Sequence, residues 1–455
     1  MPSRKTYLVL LLLIALLGAT SAAWSAPAYR SDSDVVISAP GDIYLPLVMK
    51  SAGGPITIPI GPGGADVVPR QIVRTNTDHL YLFTSQNSSN VIRAYRTLAA
   101  GLPGATADFN TSNPVTLNET NGNPISVDAA YDGGSIIYVL VNTTSNTPSG
   151  AIKIYPFDMS QNAFRSSTQL ATNGGTISAS GLYVGTSGIS GLVAQDGKLH
   201  LAYWRSDNCI IHRAYTYNGG NNTFTQVGGE TVVDANGSAN HPSIAISPDG
   251  TLTVAWVSQF TSNPRRILAR MRASNGTWGA IETVNTSNAQ VWTSTNFGIN
   301  VDQGPALVIG MDGTKHLTYL QDFDNTGAYG RVHYVTNSGS GWVDTALSFY
   351  SHAPGVAINS AGQVYIIGHG HPKNPSGPCL SMDDMCYIQK TGATWSGLRL
   401  LLAHQSGQSL DGSPSVKWSV VGFNRPETVE FAFFGVPSSG GLDYTKPTLY
   451  YGRLP

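Results

Sequence analysis

The chain has 455 residues, of which 12% are charged, and its formal net charge at pH 7 is −1. Charges of both signs are scattered along the chain, so there is no basic stripe to neutralise phosphates, and this excludes nucleic acid as an expected partner. The 50 glycines, together with many Ser, Thr and Asn residues, are typical of an extracellular β protein with many turns and not of a helical cytosolic enzyme.

The first 26 residues have the three-part layout of a secretory signal peptide. Two basic residues precede an apolar run that ends near Ala19, and small residues then lead to a predicted cleavage site near Ala23 or Ala26. The apolar run is shorter than the roughly 20 residues that a membrane-spanning helix needs. We therefore expect residues 1–26 to be removed, the mature chain to be secreted or surface-associated, and no membrane span to remain.

Residues 27–68 are rich in Pro, Gly and Ser, which predicts an extended linker. Within the linker, the apolar alternation of PITIPIG, residues 55–61, indicates a short strand. Proline is tolerated only on an edge strand, so Pro59 restricts this strand to the outside of a sheet.

From residue 69 to residue 455 a single pattern recurs seven times. Its best-formed copy, HPSIAISPDGTLTVAWVSQ (241–259), contains an apolar strand, a tight turn at Asp249 and Gly250, and a bulkier second strand. The turns of successive copies lie about 50 to 65 residues apart, the spacing of a repeated supersecondary unit. Segments such as RRILARMRAS and GTWGAIETVNTS add a third and a fourth strand to each unit.

Four antiparallel strands in each of seven units predict an all-β fold, a seven-bladed β-propeller. A six-bladed ring is the alternative if the weak first unit belongs to the linker. The first strands begin with small apolar residues and should line the channel, whereas Tyr or Trp at the centre of the second strands suits packing between blades. The seventh unit has three predicted strands, so we expect residues 55–61 to supply the fourth and to close the ring.

The turns between third and fourth strands read ASNGTWG, NSGSGWV and KTGATWSG. They resemble degenerate Asp-boxes, the Ser-x-Asp-x-Gly-x-x-Trp turns of the secreted bacterial sialidase-like (BNR repeat) β-propeller superfamily. The resemblance covers about residues 70–455 and implies the propeller scaffold, with these turns on the face opposite the binding site. No copy keeps the Asp, Asn275 being the nearest, and VVPRQIV stands where an active sialidase carries Arg-Ile-Pro. The resemblance therefore implies the fold without the sialidase chemistry.

Three cysteines are too few for a disulfide scaffold. Cys379 and Cys386 bracket the segment CLSMDDMC and are predicted to form a local disulfide in an oxidising compartment, which leaves Cys209 as a small buried apolar residue. A zinc site that combines the two cysteines with His369 and His371 has the wrong spacing for paired cysteine ligands.

In a propeller, the loops that enter the first strands and leave the second strands share the face around the channel mouth, where function is expected. The longest leaving loop, residues 368–386, exceeds the usual length of a compact connection, and its two histidines should project to one face. No catalytic or metal-binding residue can be assigned, because the candidates are spread over several blades. The ligand-binding candidates on this face are His241, His352, Trp204, Arg205, Asp207, Arg266, Asp322, His369, His371 and Tyr444.

Several candidates have a structural alternative. His241 and His352 occupy equivalent positions before a first strand, which a capping role explains as well as ligand binding. Arg205 and Asp207 are also explained as an ion pair of small energetic value at the rim.

No cofactor is required by the sequence, although one segment contains alternating oxygen ligands. QDFDNTG places Asp322 and Asp324 two residues apart, which is suggestive of Ca²⁺. The segment lacks the spacing of a 12-residue calcium loop, and a solvated turn fits it better.

We favour a secreted module that binds a glycan, another surface polymer or a surface protein at the channel mouth without catalysis, with Trp204, Trp292 and Tyr444 as stacking platforms. The alternative is a polysaccharide-active enzyme. A glycoside hydrolase would need two carboxylates about 5 to 10 Å apart, and a lyase would need His, Tyr and Arg together. A third hypothesis is a propeller that presents its loops to other proteins.

Overall fold

The structure is a computed structural model that describes part of the chain. The predicted signal peptide, residues 1–26, lies outside the described residues. The described ranges are 37–38, 44–45, 55–62, 71–85, 90–119, 123–144, 151–172, 190–195, 197–205, 207, 209–236, 239–258, 266–285, 305–321, 330–351, 354–375, 377–406, 408–415, 428–437 and 448–454.

The chain divides into two compact units, Met1–Ala52 and Gly53–Pro455. In the first unit, strands β1 (Ile37–Ser38) and β2 (Tyr44–Leu45) pair antiparallel. In the described part of the second unit, the elements are strands and one 3-10 helix, Thr106–Asp108. Among the residues that the structure describes, no helix combines the length and the apolar character needed to cross a membrane.

The second unit contains seven antiparallel sheets, which are the blades of a ring. It begins with β3 (Ile56–Pro62), which belongs to the last blade. Blade 1 contains β4 (Gln71–Arg74), β5 (Leu80–Ser85), β6 (Val91–Arg96) and β7 (Val115–Asn118). Blade 2 contains β8 (Asn123–Tyr131), β9 (Ile136–Thr144), β10 (Ala151–Asp158), β11 (Ala163–Phe164) and β12 (Thr168–Thr172). Blade 3 contains β13 (Ser190–Gln195), β14 (Lys198–Arg205), β15 (Cys209–Asn218), β16 (Thr223–Gln226) and β17 (Thr231–Asp234).

The remaining four blades follow in chain order. Blade 4 contains β18 (Asn240–Ile246), β19 (Leu252–Ser258), β20 (Arg266–Arg272) and β21 (Trp278–Thr283). Blade 5 contains β22 (Ala306–Ile309), β23 (Lys315–Gln321), β24 (Gly330–Asn337) and β25 (Val343–Ser351). Blade 6 contains β26 (Gly355–Ile358), β27 (Val364–His369), β28 (Met385–Thr391), β29 (Thr394–Trp395) and β30 (Arg399–Leu402). Blade 7 contains β31 (Gln408–Ser415), β32 (Val429–Pro437) and β33 (Thr448–Leu454), together with β3.

Each blade is in effect four-stranded. In blades 2, 3 and 6 the outermost strand is interrupted, and both of its pieces pair with the third strand. The first strand of each blade contacts the first strand of the next, from β4 and β8 through to β26 and β31, and β32 contacts β4. This continuous circle confirms the prediction of a seven-bladed β-propeller and excludes the six-bladed alternative.

The two ends of the second unit meet in blade 7, where β3 pairs with β33 as the outermost strand. Pro59 is exposed on this edge, and the register shifts between Pro59 and Gly61. Proline lacks the N–H that an inner strand must donate, so it is accommodated only at such an edge. The first strand of this blade is β31, which starts at Gln408.

The recurring Asp-Gly pairs are turn chemistry. In blade 4, Asp249 Oδ1 accepts a hydrogen bond of 2.9 Å from the Thr251 backbone N, and Asp312 accepts the same bond from Thr314 in blade 5, also at 2.9 Å. Gly250 has φ +83°, a backbone conformation that residues with a Cβ rarely adopt. These carboxylates are therefore occupied in forming the turns between first and second strands.

Aromatic side chains fill the seams between neighbouring blades. On the second strands, Tyr203 and Trp256 are at most 1% exposed and belong to core clusters that span two adjacent blades. The Trp residues of the degenerate turns, Trp278, Trp342 and Trp395, each pack against the preceding blade. Burying one such aromatic side chain stabilises the fold by about 2 kcal/mol. Each seam therefore contributes to the stability of the propeller.

A buried ion pair joins blade 1 to blade 7 beside the point of closure. Arg74 donates from Nε to Glu430 Oε2 at 2.6 Å and from Nη2 to the other carboxylate oxygen, and the two side chains are 3% and 10% exposed. The hydroxyl of Tyr451 donates to Glu430 Oε1 at 2.6 Å. Arg74 Nη1 also bonds to Asp78 Oδ1 at 3.0 Å.

We expect Glu430→Gln to lower the free energy of unfolding at pH 7 by about 3–5 kcal/mol, because it removes the carboxylate that accepts two hydrogen bonds from the buried guanidinium of Arg74, while the bond to Asp78 stays. Denaturant unfolding measures this loss. As a control, Asp108→Asn changes an exposed acid whose Oδ2 accepts the backbone N–H groups of Gly104 and Ala105 at 2.7 and 2.9 Å. An amide oxygen can keep both bonds, so this change should cost less than about 1 kcal/mol. An unchanged unfolding midpoint for Glu430→Gln would show that the ion pair does not hold the closure.

Candidate functional site

Several sequence-predicted residues lie outside the described part of the chain. They are His352, Asp322, Asp324, Trp292 and Tyr444. His241 lies in β18, where its backbone but not its side chain is described. The roles predicted for these residues stay predictions.

Arg205 and Asp207 meet at the mouth end of blade 3, where β14 ends and the chain turns into β15. Arg205 Nε lies 3.0 Å from each carboxylate oxygen of Asp207, and its Nη2 donates to Oδ2 at 2.6 Å. On its other side, Nη1 of the same guanidinium donates to Glu230. The side chains of Arg205 and Asp207 are 29% and 48% exposed, so this pair lies at the surface.

Glu230 and Arg213 also belong to this group, although neither was predicted as a site residue from the sequence. Glu230 lies between β16 and β17, and Arg213 Nε donates to its Oε2 at 2.9 Å. The Tyr203 hydroxyl donates to the same oxygen at 3.2 Å, and Arg213 Nη1 donates to the carbonyl of Leu170 in blade 2 at 2.9 Å. The rim cluster of Arg205, Asp207, Arg213 and Glu230 therefore spans the outer edge of blades 2 and 3.

Both carboxylates of the rim cluster are held in the ionised form. The hydrogen bond from Arg205 lowers the pKa of Asp207. Burial raises the pKa of Glu230, but the hydrogen bond and charge of Arg213, together with the charge of Arg205, outweigh it, so the net shift is downward. A glycosidase needs one carboxyl with a raised pKa to act as the acid. The rim cluster offers none.

Trp204 lies between blades 3 and 4, whereas the sequence suggested that it would be a stacking platform for a ligand. Consecutive residues of a strand face opposite sides of the sheet, so Trp204 faces blade 4 while Arg205 faces blade 2. The indole is 9% exposed and packs among buried residues of blades 3 and 4. Arg266, the first residue of β20, is half-buried on blade 4, the neighbour of the blade that carries Arg205.

The long loop of blade 6 begins with the segment GHGH. Both positions need glycine, because neighbouring atoms lie too close to leave room for a side chain. A Cβ on Gly368 would overlap the Ser351 side chain of blade 5, and one on Gly370 would overlap the Ser381 carbonyl. The Gly370 N–H donates to the Asp384 carbonyl at 2.9 Å. The loop therefore folds back tightly on itself and on its neighbour.

His369 and His371 are buried within this loop, each only 2% exposed. The ring of His371 stacks on Tyr350 with centroids 5.8 Å apart, and its Nδ1 accepts the Lys373 backbone N–H at 3.0 Å. His369 Nδ1 lies 3.4 Å from the Met382 carbonyl. Both imidazoles thus pack inside the loop, because the fold-back of the loop covers the end of β27. From the sequence, contact with a ligand and a place in a purely structural polar loop were equally open.

Cys379 and Cys386 form a disulfide across the loop, with Cα atoms 6.1 Å apart, while Cys209 is free and buried. Both bridged cysteines are at most 1% exposed. Asn374 accepts the Tyr350 backbone N–H of blade 5 at 2.6 Å, and the Asp383 carbonyl accepts an N–H from blade 7 at 3.1 Å. The disulfide loop, residues 370–384, thus ties three blades together at the channel mouth.

The disulfide loop also brings Ser381, Asp384 and His404 together, which the sequence did not predict. His404 Nδ1 lies 2.7 Å from Asp384 Oδ1, and its backbone N donates to the same oxygen at 2.9 Å. Ser381 Oγ lies 3.5 Å from that same Nδ1. A catalytic relay needs the hydroxyl and the carboxylate on opposite ring nitrogens, so these three residues do not form one.

The arrangement instead orients an imidazole. A carboxylate can only accept, so Nδ1 of His404 carries the hydrogen, and in the neutral imidazole Nε2 keeps its lone pair. The side chain of His404 is 37% exposed and that of Asp384 is 10% exposed. A partly exposed hydrogen-bond acceptor is therefore fixed from below by a buried anion.

Across the described ranges, no group of three or more His, Cys, Asp and Glu side chains comes together as a metal site. The calcium ligands predicted at Asp322 and Asp324 lie outside those ranges.

Comparison with known proteins adds little beyond the fold class. No family model matches the sequence, so the resemblance of the turns to Asp-boxes stays a prediction, and no curated protein matches either. The fucose-recognising six-bladed lectin of Aleuria aurantia is 13% identical, with TM-score 0.38 over 62% of this chain and 78% of the lectin. The α-L-arabinanase of Penicillium chrysogenum is 12% identical, with TM-score 0.43 over 69% and 93% of the two chains.

A third solved structure, the α-L-arabinofuranosidase Arb93A of Fusarium graminearum, is 9% identical, with TM-score 0.45 over 88% of this chain and 97% of that one. At such identities and TM-scores, these similarities carry no information on the ligand or activity of this chain.

Thiol titration in denaturant checks the disulfide. We expect one reactive thiol without reductant, from Cys209, and three after reduction. The double variant Cys379→Ser/Cys386→Ser should lose about 2 kcal/mol of unfolding free energy, since the bridge closes a short loop. Three thiols before reduction would contradict the pairing.

Proposed function

We propose that this protein is a secreted or cell-surface propeller that binds a glycan, or a similar hydroxyl-rich surface polymer, at its channel-mouth face without catalysis. The observation that carries the proposal is the disulfide loop of blade 6, which holds the partly exposed His404 against the buried carboxylate of Asp384.

The surface of the disulfide loop has the chemistry that a sugar ring requires. His404 offers an acceptor at Nε2, and Ser381 beside it offers a hydroxyl that can donate or accept. Leu380 is 43% exposed and supplies an apolar surface next to these polar groups, matching the apolar face of a pyranose. The disulfide and the bonds to blades 5 and 7 keep the loop in place, which lowers the entropy cost of binding.

The rim cluster on blade 3 supports a polymer over a single sugar. Asp207 and Arg205 present carboxylate and guanidinium groups that are partly open to solvent. They lie on blade 3, whereas His404 follows the last strand of blade 6. A ligand that contacts both places has to extend across the mouth face.

The alternative, a polysaccharide-active enzyme, is less well supported by the described residues. The two carboxylates of the rim cluster both have lowered pKa values, so neither is suited to be the acid of a glycosidase. Ser381 and Asp384 share one nitrogen of His404, which does not allow a serine to be activated.

A glycan array with the mature chain tests the proposal. We expect His404→Ala to weaken binding of the selected glycan by about tenfold, the effect of one lost hydrogen bond to a preorganised partner. Asn275→Ala, an exposed change in the opposite-face turn of blade 4, is the matched control and should stay within about twofold. Equal binding by wild type and His404→Ala would contradict the assignment of the site.

A turnover assay separates the two functions. We expect no release of reducing ends and no unsaturated product when the protein is incubated with the selected polysaccharide. Turnover that His404→Ala abolishes would establish the enzyme alternative in place of binding alone.

A further inference from the structure

Two buried histidines occupy the same position on the second strands of blades 3 and 5. His200 lies in the segment GKLHL and His316 in TKHL, and each is 6% exposed. Each stacks on a ring of the third strand of its own blade. His200 stacks on His212 with centroids 5.4 Å apart, and His316 stacks on Tyr334 with centroids 6.0 Å apart.

The next blade completes each stack with the Trp of its degenerate turn. Trp278 of blade 4 meets the ring of His212 edge-on at 5.3 Å, and Trp395 of blade 6 meets Tyr334 edge-on at 5.0 Å. We call these groups the 3–4 stack (His200, His212, Trp278) and the 5–6 stack (His316, Tyr334, Trp395). They close the seams between blades 3 and 4 and between blades 5 and 6.

The hydrogen bonds in both stacks suit neutral imidazoles. His200 Nδ1 lies 3.1 Å from His212 Nε2, so one nitrogen donates and the other must keep its lone pair. His316 Nδ1 lies 2.7 Å from the Tyr334 hydroxyl, and within the described chain its buried Nε2 has no hydrogen-bond partner. In the 3–4 stack, protonation would leave an N–H on both His200 Nδ1 and His212 Nε2, so that two donors would face each other. In the 5–6 stack, protonation would place a buried N–H without an acceptor at His316 Nε2.

Each stack has a basic group beside it, and the 5–6 stack has an acidic group as well. Burial lowers the pKa of His212 to about 3, and His200 and Arg272 of blade 4 lower it further. Burial lowers the pKa of His316 to about 4, with Asp312 of its own blade opposing and Lys390 of blade 6 adding to the shift.

We propose that the two stacks are acid-sensitive latches: below about pH 5 their imidazoles take up protons and the seams between blades 3 and 4 and between blades 5 and 6 open, so that blades 4 and 5 move as a pair. This inference does not depend on the proposed function.

The seam between blades 4 and 5 contains a buried histidine with the opposite surroundings. His333 Nδ1 lies 2.9 Å from Asp344 Oδ1 and 3.1 Å from the Tyr319 hydroxyl. Unlike the rings of the two stacks, this imidazole has a carboxylate as a hydrogen-bond partner, although its Nε2, like that of His316, has no partner within the described residues. Blades 4 and 5 are therefore expected to stay together.

The sign of the pH effect follows from proton binding. In an open seam the imidazoles are solvated and titrate near 6.5, whereas in the closed seams the pKa of His212 is about 3 and that of His316 is about 4. Between about pH 6.5 and 4 the open state therefore binds more protons than the closed state. The closed seams have their full stability above pH 6.5 and lose it as the pH falls through this window.

Covalent footprinting of tryptophan with mass spectrometry tests the latches on the full chain. Between pH 7.5 and 4.5 we expect labelling of Trp278 and Trp395 to rise at least about threefold. Trp342 occupies the same turn position at the seam between blades 4 and 5 and should not change. No increase at Trp278 and Trp395, or an equal increase at Trp342 that signals global unfolding, would overturn the proposal.

Single substitutions test each latch separately. His212→Gln should abolish the acid-dependent labelling of Trp278 alone, and His316→Gln that of Trp395 alone, since glutamine keeps a hydrogen bond but does not titrate. His79→Gln, in the β4–β5 turn, is the matched control and should leave both increases intact. Persistence of both increases in the two seam variants would overturn the proposal.

If a histidine variant fails to fold, Arg272→Gln and Lys390→Gln retain the imidazoles and remove the neighbouring charge. Each should move the midpoint of labelling at its own seam to lower pH, because the closed imidazole then accepts a proton at smaller cost. An unchanged midpoint in both variants would contradict the electrostatic origin of the latch.

Discussion

The packing of aromatic and apolar side chains between neighbouring blades is the interaction on which the whole ring depends. Every blade has two faces to bury, and each face is covered by the neighbouring blade on that side. Trp256 is fully buried in one such seam, and Phe431 is fully buried in the seam of blades 6 and 7. A single open seam would leave two apolar faces in water, so closure through β3 and β33 is as important as any blade.

This constraint also determines how polar groups are placed inside the seams, since a buried polar atom costs free energy unless it is paired. Arg74 bonds to Glu430 across the closure, and Lys153 of blade 2 bonds to Glu119, which follows blade 1, at 2.6 Å. Each of these buried charges has an opposite partner. The 3–4 and 5–6 stacks differ, because His200 and His212 bond to each other and His316 bonds to the Tyr334 hydroxyl.

The channel-mouth face does not have to pack against a neighbouring blade, and the candidate binding residues lie there. The disulfide loop is long enough to contact blades 5, 6 and 7 without interrupting any strand. Its interior uses His369 and His371 for packing, while His404 stays partly exposed. In the rim cluster, Arg205 ends β14, Asp207 and Glu230 lie between strands, and Arg213 lies within β15. The scaffold and the candidate site therefore rest on different residues.

The sequence by itself determined the features that depend on local chemistry: seven repeats, Asp-Gly turns such as Asp249 and Gly250, and an edge strand at residues 55–61. Period and turn geometry can be read from residues close together in the chain. The tertiary structure alone decided that Glu230 and Arg213 join Arg205, that Asp384 orients His404, and that Trp204, His369 and His371 are buried. Those outcomes depend on which face of a strand meets the next blade and on how a long loop folds back, and both are set by contacts between residues far apart in sequence.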